Sequence, residues 1–390
     1  MMPAEPKLRF PEFKEPWKPG HAGDAFKNSR AKGAAGLPIY SVTMDRGLVR
    51  RDSLDRHMAA DAADGQNLRA QRGDVVYNMM RMWQGAVGLA HEECMVSPAY
   101  VVLSPKKHTS PQFFDQWFKA KRMLYLLWAY SHGITSDRLR LYADDFARIP
   151  LHLPALPEQQ KIAALLEAVD AKLAALAAKR AALGRFKAGL MQKLFSQQLR
   201  FARDDGQAFP DWEEKPFEEI ASRARSIFAP RKSAQRPALI ELENIEGGTG
   251  KIVGHSELEG QISLKSVFRA GDVLFGKLRP YLRKYARPDF DGVCSSEIWV
   301  LRGRMVSNAF LYYLVQSSQF IQVANISSGS KMPRSDWSTI ADTGFEIPHA
   351  DEQQKIANAL SAMDAKTEAV ADQITKLETF KKGLLQQMFV

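Results

Sequence analysis

Cysteine is nearly absent from this sequence: 390 residues hold only Cys94 and Cys294. Two thiols exclude a disulfide scaffold and a four-cysteine zinc site, and they fit a reducing compartment. Long hydrophobic runs are also missing. The longest candidate, residues 123–130, falls far short of the ~20 apolar residues that span a bilayer and reads as a buried helix. Residues 1–19 are broken by prolines and carry charge, which argues against a signal peptide. The expected location is the cytoplasm.

Catalytic signatures are missing as well. A phosphate loop ending at Gly250-Lys251 would need glycine at 245 and Ser or Thr at 252, and both positions are isoleucine. Residues 246–251 therefore read as a turn between two short strands. Pro210-Asp211 and Glu213-Glu214-Lys215 have the residue types of a metal-dependent nuclease, whose second motif normally sits on a separate strand. His91-Glu92-Glu93-Cys94 lacks a second histidine at helical spacing for zinc. No Asn-Pro-Pro-aromatic or Asp-Pro-Pro-aromatic tetrapeptide occurs, nor a convincing strand, glycine-rich loop and helix for S-adenosylmethionine. Together these gaps favour a binding protein.

Positive charge is plentiful. The net charge of +10 and pI near 9.4 favour a polyanionic partner, nucleic acid or an anionic membrane surface. With 45% hydrophobic and 25% charged residues the chain has ordinary globular composition, and its length suits two or three domains.

The sequence is a tandem repeat. Glu158-Gln159-Gln160-Lys161-Ile162-Ala163 recurs as Glu352-Gln353-Gln354-Lys355-Ile356-Ala357, at an offset of 194. Asp170-Ala171-Lys172 and Phe186-Lys187 return at that offset as Asp364-Ala365-Lys366 and Phe380-Lys381. A fainter echo at an offset of 198 pairs Gly73-Asp74-Val75 with Gly271-Asp272-Val273, Arg81 with Arg279, Trp83 with Tyr281 and Ser97 with Ser295. Phe10-Pro11-Glu12 similarly matches Phe209-Pro210-Asp211. One half of the repeat is kept and the other diverges, which suggests one shared job and one job done differently twice.

The kept segments are predicted helices. Residues 157–198 are rich in Ala, Leu, Lys, Gln and Glu, with Pro157 suited to the first turn and Glu158 favoured by the helix dipole. Ile162, Leu166, Val169, Leu173, Leu176, Leu183, Leu190 and Leu194 form a four-three seam. The second copy keeps it with Ile356, Leu360, Met363, Val370, Ile374, Leu377, Leu384 and Met388. Arg180 and Lys187 interrupt the first seam, Thr367 and Lys381 the second. A strip this narrow on a helix of ~60 Å needs a partner, and antiparallel pairing of the two copies is favoured over each helix packing on its own domain.

The divergent halves look mixed, with strands at residues 75–77, 100–103, 273–275 and 298–301 and helices at 111–130 and 307–323. Phe113, Phe114, Trp117, Phe118, Tyr312 and Tyr313 are read as core. The clearest cationic cluster is Lys277, Arg279, Arg283 and Lys284 around Tyr281, and a second holds Lys331 and Arg334. The corresponding regions of the first half carry Arg81, Trp83 and Gln84, then Arg138 and Arg140. Such residues neutralise phosphates and donate to guanine edges. The plainer alternative is a solvated charged surface.

These motifs, with residues 271–281, Met80-Arg81-Met82-Trp83-Gln84-Gly85, Ser97-Pro98-Ala99-Tyr100 and Glu241-Leu242-Glu243-Asn244-Ile245, resemble the specificity subunits of type I restriction-modification systems. The resemblance covers the repeat plan of the whole chain. It implies an α+β architecture with two mixed α/β target-recognition domains (1–155 and 201–348), separated by helical spacers (156–200 and 349–390) that form an antiparallel coiled coil. Each domain would read half of an asymmetric, split site in double-stranded DNA. The helices would act as ruler and as docking platform for two methyltransferase subunits, with restriction and translocase subunits completing the complex. The chain itself would bind no cofactor; S-adenosylmethionine, ATP and Mg would belong to the partners. One departure is that the first domain has no equivalent of the 277–284 cluster. The competing readings are a self-contained nuclease with an unrecognised centre and a structural coiled-coil protein without a DNA role.

Overall fold

The computed structural model describes residues 5–54, 66–135, 137–326 and 332–389. The chain divides into two compact units, residues 1–178 with 371–390, and residues 179–370. Both long helices, Leu156–Phe195 and Ala350–Gln387, contribute one part to each unit.

In the first unit, strand Lys18–His21 pairs antiparallel with Pro150–Leu153 and closes the base of a domain. Above this ladder lies an antiparallel sheet in the order Phe26–Ser29, Tyr100–Pro105, Val75–Asn78, Val87–Leu89. A second sheet runs Gly47–Arg50, Ile39–Thr43, Cys94–Val96, Leu68–Ala70, with its middle pair parallel. Alternation along the central strands serves two cores at once. Val75, Tyr77, Val101 and Leu103 pack into the helix-covered core, whereas Val76 and Val102 pack toward the second sheet. A strand buried on both faces reads as a continuous apolar run, which is why residues 75–77 and 100–103 stood out.

The second unit repeats this frame. Glu213–Pro216 pairs with Gly344–Ile347, and one sheet runs Ala221–Arg223, Ile298–Gly303, Val273–Gly276, Tyr285–Ala286. Val273, Phe275, Trp299 and Leu301 face the helix-covered core, and Leu274, Ile298 and Val300 the other. Its second sheet keeps the parallel pair, Ala238–Ile240 with Gly292–Cys294, beside Lys265–Phe268. The fourth strand differs. In the first domain Gly47–Arg50 extends the sheet beyond Ile39–Thr43, whereas in the second Ile227–Phe228 extends it beyond Lys265–Phe268, at the opposite edge.

Each helix expected over 111–130 and 307–323 is two helices. The first breaks into Pro111–Trp117 and Lys121–Ala129, with Ala120 extended between them. The second breaks into Asn308–Leu314 and Ser318–Ala324, because the Ser317 hydroxyl accepts the Phe320 N–H and starts a new helix. Ser110 and Ser307 cap the leading helices in the same way, over Phe113 and Phe310. The aromatics read as core are so: Phe113, Phe114, Trp117, Phe118 and Tyr313 are buried, and Tyr312 is half-buried and packed on the core. Residues 123–130 are buried on one face only. Met123, Leu126 and Leu127 turn inward while Tyr125 and Trp128 are 62% and 48% exposed.

The repeated hexapeptide is an anchor. The buried Glu158 carboxylate accepts from Arg9 Nε at 2.7 Å, Arg9 Nη2 at 2.9 Å and Trp17 Nε1 at 3.2 Å. In the second unit Glu352 accepts from Arg200 Nε at 3.2 Å, Arg200 Nη2 at 2.8 Å and Trp212 Nε1 at 3.2 Å. Gln159 accepts the Ser110 N–H and donates to the Pro154 carbonyl; Gln353 accepts the Ser307 N–H and donates to Pro348. Lys161 pairs with Glu12 and lies over the Phe10 ring, as Lys355 pairs with Asp204 and lies over Phe209. One residue in the hexapeptide thus ties the helix start to the segment before the domain, and the next ties it to the domain's own helix cap.

Within each unit the two long helices pack antiparallel. In the first, the Leu8 N–H reaches the Gln387 carbonyl beside the Arg9–Glu158 pair, and Lys381 reaches Asp170 at 2.5 Å. In the second, Arg200 meets Glu352 at one end and Lys187 meets Asp364 at 2.6 Å further along. The lysines that break the apolar seams therefore find the acids of the other helix. Each acid also takes a donor from the domain, Gln116 on Asp170 and Tyr313 on Asp364.

Ile162, Leu166 and Val169 with Leu384, and Ile356 with Leu360, lie in the domain cores, and Leu173, Leu377 and Leu190 pack against them. Met363, Val370 and Leu176 are buried, and Leu183 and Ile374 half-buried. The start of each helix thus packs on its own domain and also on the other helix's end.

Candidate nucleic-acid interface

In each domain the structure brings together two loops that lie far apart in sequence. In the first, Arg81, Trp83 and Gln84 occupy the connection between strands Val75–Asn78 and Val87–Leu89, on a 3-10 turn at Met82–Gln84. Beside it runs the segment carrying Arg138 and Arg140. The Leu141 N–H donates to the Met79 carbonyl at 2.9 Å, and Arg140 bridges His132 backbone to backbone. Arg81, Gln84, Arg138 and Arg140 are exposed; the half-buried Trp83 donates its indole N–H to the Met80 carbonyl.

In the second, residues 277–284 fill the same connection, between Val273–Gly276 and Tyr285–Ala286, with a 3-10 turn at Pro280–Leu282. The loop before helix Trp337–Ala341 again lies alongside: the Arg279 N–H donates to the Pro333 carbonyl at 2.8 Å and the Ser335 N–H to Lys277 at 2.8 Å. The first domain therefore has this loop in place. What it lacks is its charge.

The second loop is held in a costly conformation. Arg279 and Arg283 both have φ of 52°, a left-handed region that costs an L-residue ~1 kcal/mol or more. Neighbours hold them there. Besides the Arg279 bond, the Gly248 N–H donates to the Arg283 carbonyl and the Arg283 guanidinium donates to Gln316 O at 2.8 Å. Residues 246–251 do form a turn, closed by a single bridge between Ile245 and Ile252 rather than by two strands. Gly250 has φ of 76°, and a Cβ there would lie 1.8 Å from the Tyr312 hydroxyl, so a substitution would strain the backbone and displace that ring.

The cationic cluster differs in its contacts. Arg283 and Lys284 are half-buried and each donates to a backbone carbonyl, Lys284 to that of Leu242 at 2.5 Å. Lys277 and Arg279 have no ion pair among the described residues, and Tyr281 stands 55% exposed at the tip. Arg334 forms an ion pair with Glu297 at 3.0 Å, which raises its guanidinium pKa. Lys331 lies outside the described residues.

Several exposed or anchoring positions escaped the sequence reading. Tyr125 and Trp128, with rings 5.8 Å apart, lie exposed on the helix packed against the Met82–Gln84 turn. The partners of Glu158 and Glu352 were signalled only by the repeated Phe-Pro-acid triplets. Glu297, on a turn otherwise matched in the first domain, left no pattern at all.

Acids at residues 92, 93, 211 and 213 lie beside neighbouring side chains. Asp211 lies 3.6 Å from Arg200, Glu213 pairs with Lys215 at 3.2 Å, and Tyr40 and Arg69 hold Glu92 and Glu93. Burial pushes both thiols, Cys94 and Cys294, up to about 12, which makes them poor nucleophiles. Among the described residues no helix is long and apolar enough to cross a membrane.

A frame built twice, with unlike loops on matching positions and anchored long helices, defines a two-domain recognition protein. The family model for the type I restriction modification DNA specificity domain matches residues 21–184 and 244–379, and the chain belongs to that family. It is 22% identical over 182 residues to the type I restriction enzyme EcoDI specificity subunit of Escherichia coli, covering 46% of this chain and 40% of that protein. It is also 22% identical over 261 residues to the MjaVIII specificity subunit of Methanocaldococcus jannaschii, covering 62% and 61%. The matches thus span about half the length of these relatives. The fold is that of the type I restriction-modification S subunit from M. genitalium, with a TM-score of 0.57 at 13% identity over 99% of both chains.

Proposed function

We propose that this chain is the DNA-reading subunit of a type I restriction-modification complex and has no catalytic centre of its own. One observation carries the reading. The same two-loop platform occurs twice on matching frames, with Arg81, Gln84, Arg138 and Arg140 on one and Lys277, Arg279, Tyr281 and Arg334 on the other. Matching frames with different donors suit two unlike half-sites of one double-stranded DNA target, since exposed cations contact phosphates and guanine edges. The long helices set the gap between half-sites and dock two methyltransferase subunits, which restriction and translocase subunits join in the cytoplasm. S-adenosylmethionine, ATP and Mg are bound by those partners.

The test is co-expression with the cognate methyltransferase subunit followed by mapping of methylated adenines. A split, asymmetric motif is expected. Methylation without a motif, or DNA cleavage by the purified chain with Mg alone, would overturn the reading.

A further inference from the structure

The Arg334–Glu297 pair has a geometry that a plain phosphate contact does not need. Glu297 is fixed at its backbone: its N–H donates to Ser295 Oγ at 3.3 Å, and its carbonyl accepts the Lys277 N–H at 2.9 Å. Its carboxylate takes Arg334 side-on, Nε to Oε2 at 3.0 Å and Nη2 to Oε1 at 3.3 Å. Of the five guanidinium N–H groups this uses two, along one edge. The distal edge, with one N–H each from Nη1 and Nη2, is left as a fork. Arg334 itself is pinned by its bridge to Leu278, and the Ser335 hydroxyl is tied to Ala324 O. The backbones of both partners are therefore held, and the ion pair sets one side chain against the other.

Charge points the same way. A carboxylate beside the guanidinium offsets part of its attraction for a phosphate, and would itself be repelled by one. A guanine edge carries no net charge and presents two acceptors, O6 and N7, that match the free fork. The first domain builds the same turn, with the Ala99 N–H on Ser97 Oγ and the Tyr100 N–H on Ser97 O. There the residue in place of Glu297 is Ala99, which offers no carboxylate.

Building on the DNA-reading role above, we infer that Glu297 is a positioning residue that holds Arg334 as a guanine reader in the half-site of the second domain only. The test selects duplexes from a random-sequence pool with the full chain in complex with its methyltransferase partner. Wild type should recover two half-sites, one with guanine at a defined position. Arg334→Ala and Glu297→Ala should each lower discrimination at that position by about ten-fold, leaving other positions unchanged. Arg334→Lys should not restore it, because an ammonium has no fork. The slope of log affinity against log salt should change by less than about one. Thermal melting checks folding, and Glu297→Gln, nearly isosteric, serves if the alanine variant melts early.

A wild-type pool without any motif would sink the DNA-reading role and this inference together. A wild-type motif that neither variant alters, or alters at Arg334 but not at Glu297, sinks the inference alone. So does Arg334→Ala weakening all sequences equally with a slope lower by about one.

Discussion

Arg9 and Arg200 carry more of the architecture than their exposed neighbours, because each satisfies a carboxylate that has almost no access to water. Glu158 and Glu352 are 1% and 0% exposed, so deleting the arginine leaves a buried charge with one indole donor. Arg9→Ala and Arg200→Ala are each expected to cost about 3 kcal/mol, by nearly equal amounts, in urea unfolding. Exposed pairs such as Lys161 with Glu12 should cost under about 1 kcal/mol. A second contrast concerns Asp74 and Asp272, equivalent in the repeat. Asp272 accepts from Arg302 at 2.9 and 2.8 Å and from the Arg269 N–H, whereas burial pushes the Asp74 carboxyl above its ordinary value, partly offset by the Gln71 N–H and Ser104. Asp272→Asn should cost about 2 kcal/mol. Because the folded value of Asp74 is raised, its protonated form adds stability in acid that is lost as pH rises through that value. Asp74→Asn does not titrate, so its stability relative to wild type should improve as pH climbs above ~4, and denaturation midpoints at stepped pH would show it.

At the scale of elements, the two-stranded ladders set the expected boundaries for a domain exchange. Lys18–His21 pairs with Pro150–Leu153, and the Ala22 N–H reaches the Ile149 carbonyl just above. Exchanging residues 18–150 cuts through that ladder, whereas exchanging 22–149 leaves both of its strands native. The second exchange should fold and replace one half of the methylated motif, and the first should melt earlier. Methylation mapping and melting curves of the two chimaeras decide it. Much of this level was legible beforehand: strands buried on both faces gave continuous apolar runs, and the repeat offset of 198 placed both copies of the loop at Arg81 and Arg279. The break at Ser317 was missed because aromatic periodicity runs straight through it, and its cap outweighs that pattern. The anchors were missed for a different reason. Arg9 and Glu158 stand 149 residues apart, and Trp212 and Glu352 140 apart, a distance at which no local pattern joins them.

Across the whole molecule the two long helices carry equal counts. Asp170 and Lys187 lie seventeen residues apart on one long helix, and Asp364 and Lys381 seventeen apart on the other. Each acid binds a lysine of the other helix within its own unit. If the helices are the ruler proposed above, a deletion in one helix between these positions makes the counts unequal and should strain one of the two ion pairs. Removing 174–180 together with 368–374, which correspond at the offset of 194, keeps the counts equal and removes about two helical turns from each. The matched deletion should fold with a melting temperature within a few degrees of wild type and methylate a motif with unchanged half-sites and a different gap. Either single deletion should melt lower and methylate poorly. If the matched deletion kept the original gap, the helices would not be the ruler, and the spacing would have to be set by the recognition domains or the methyltransferase subunits.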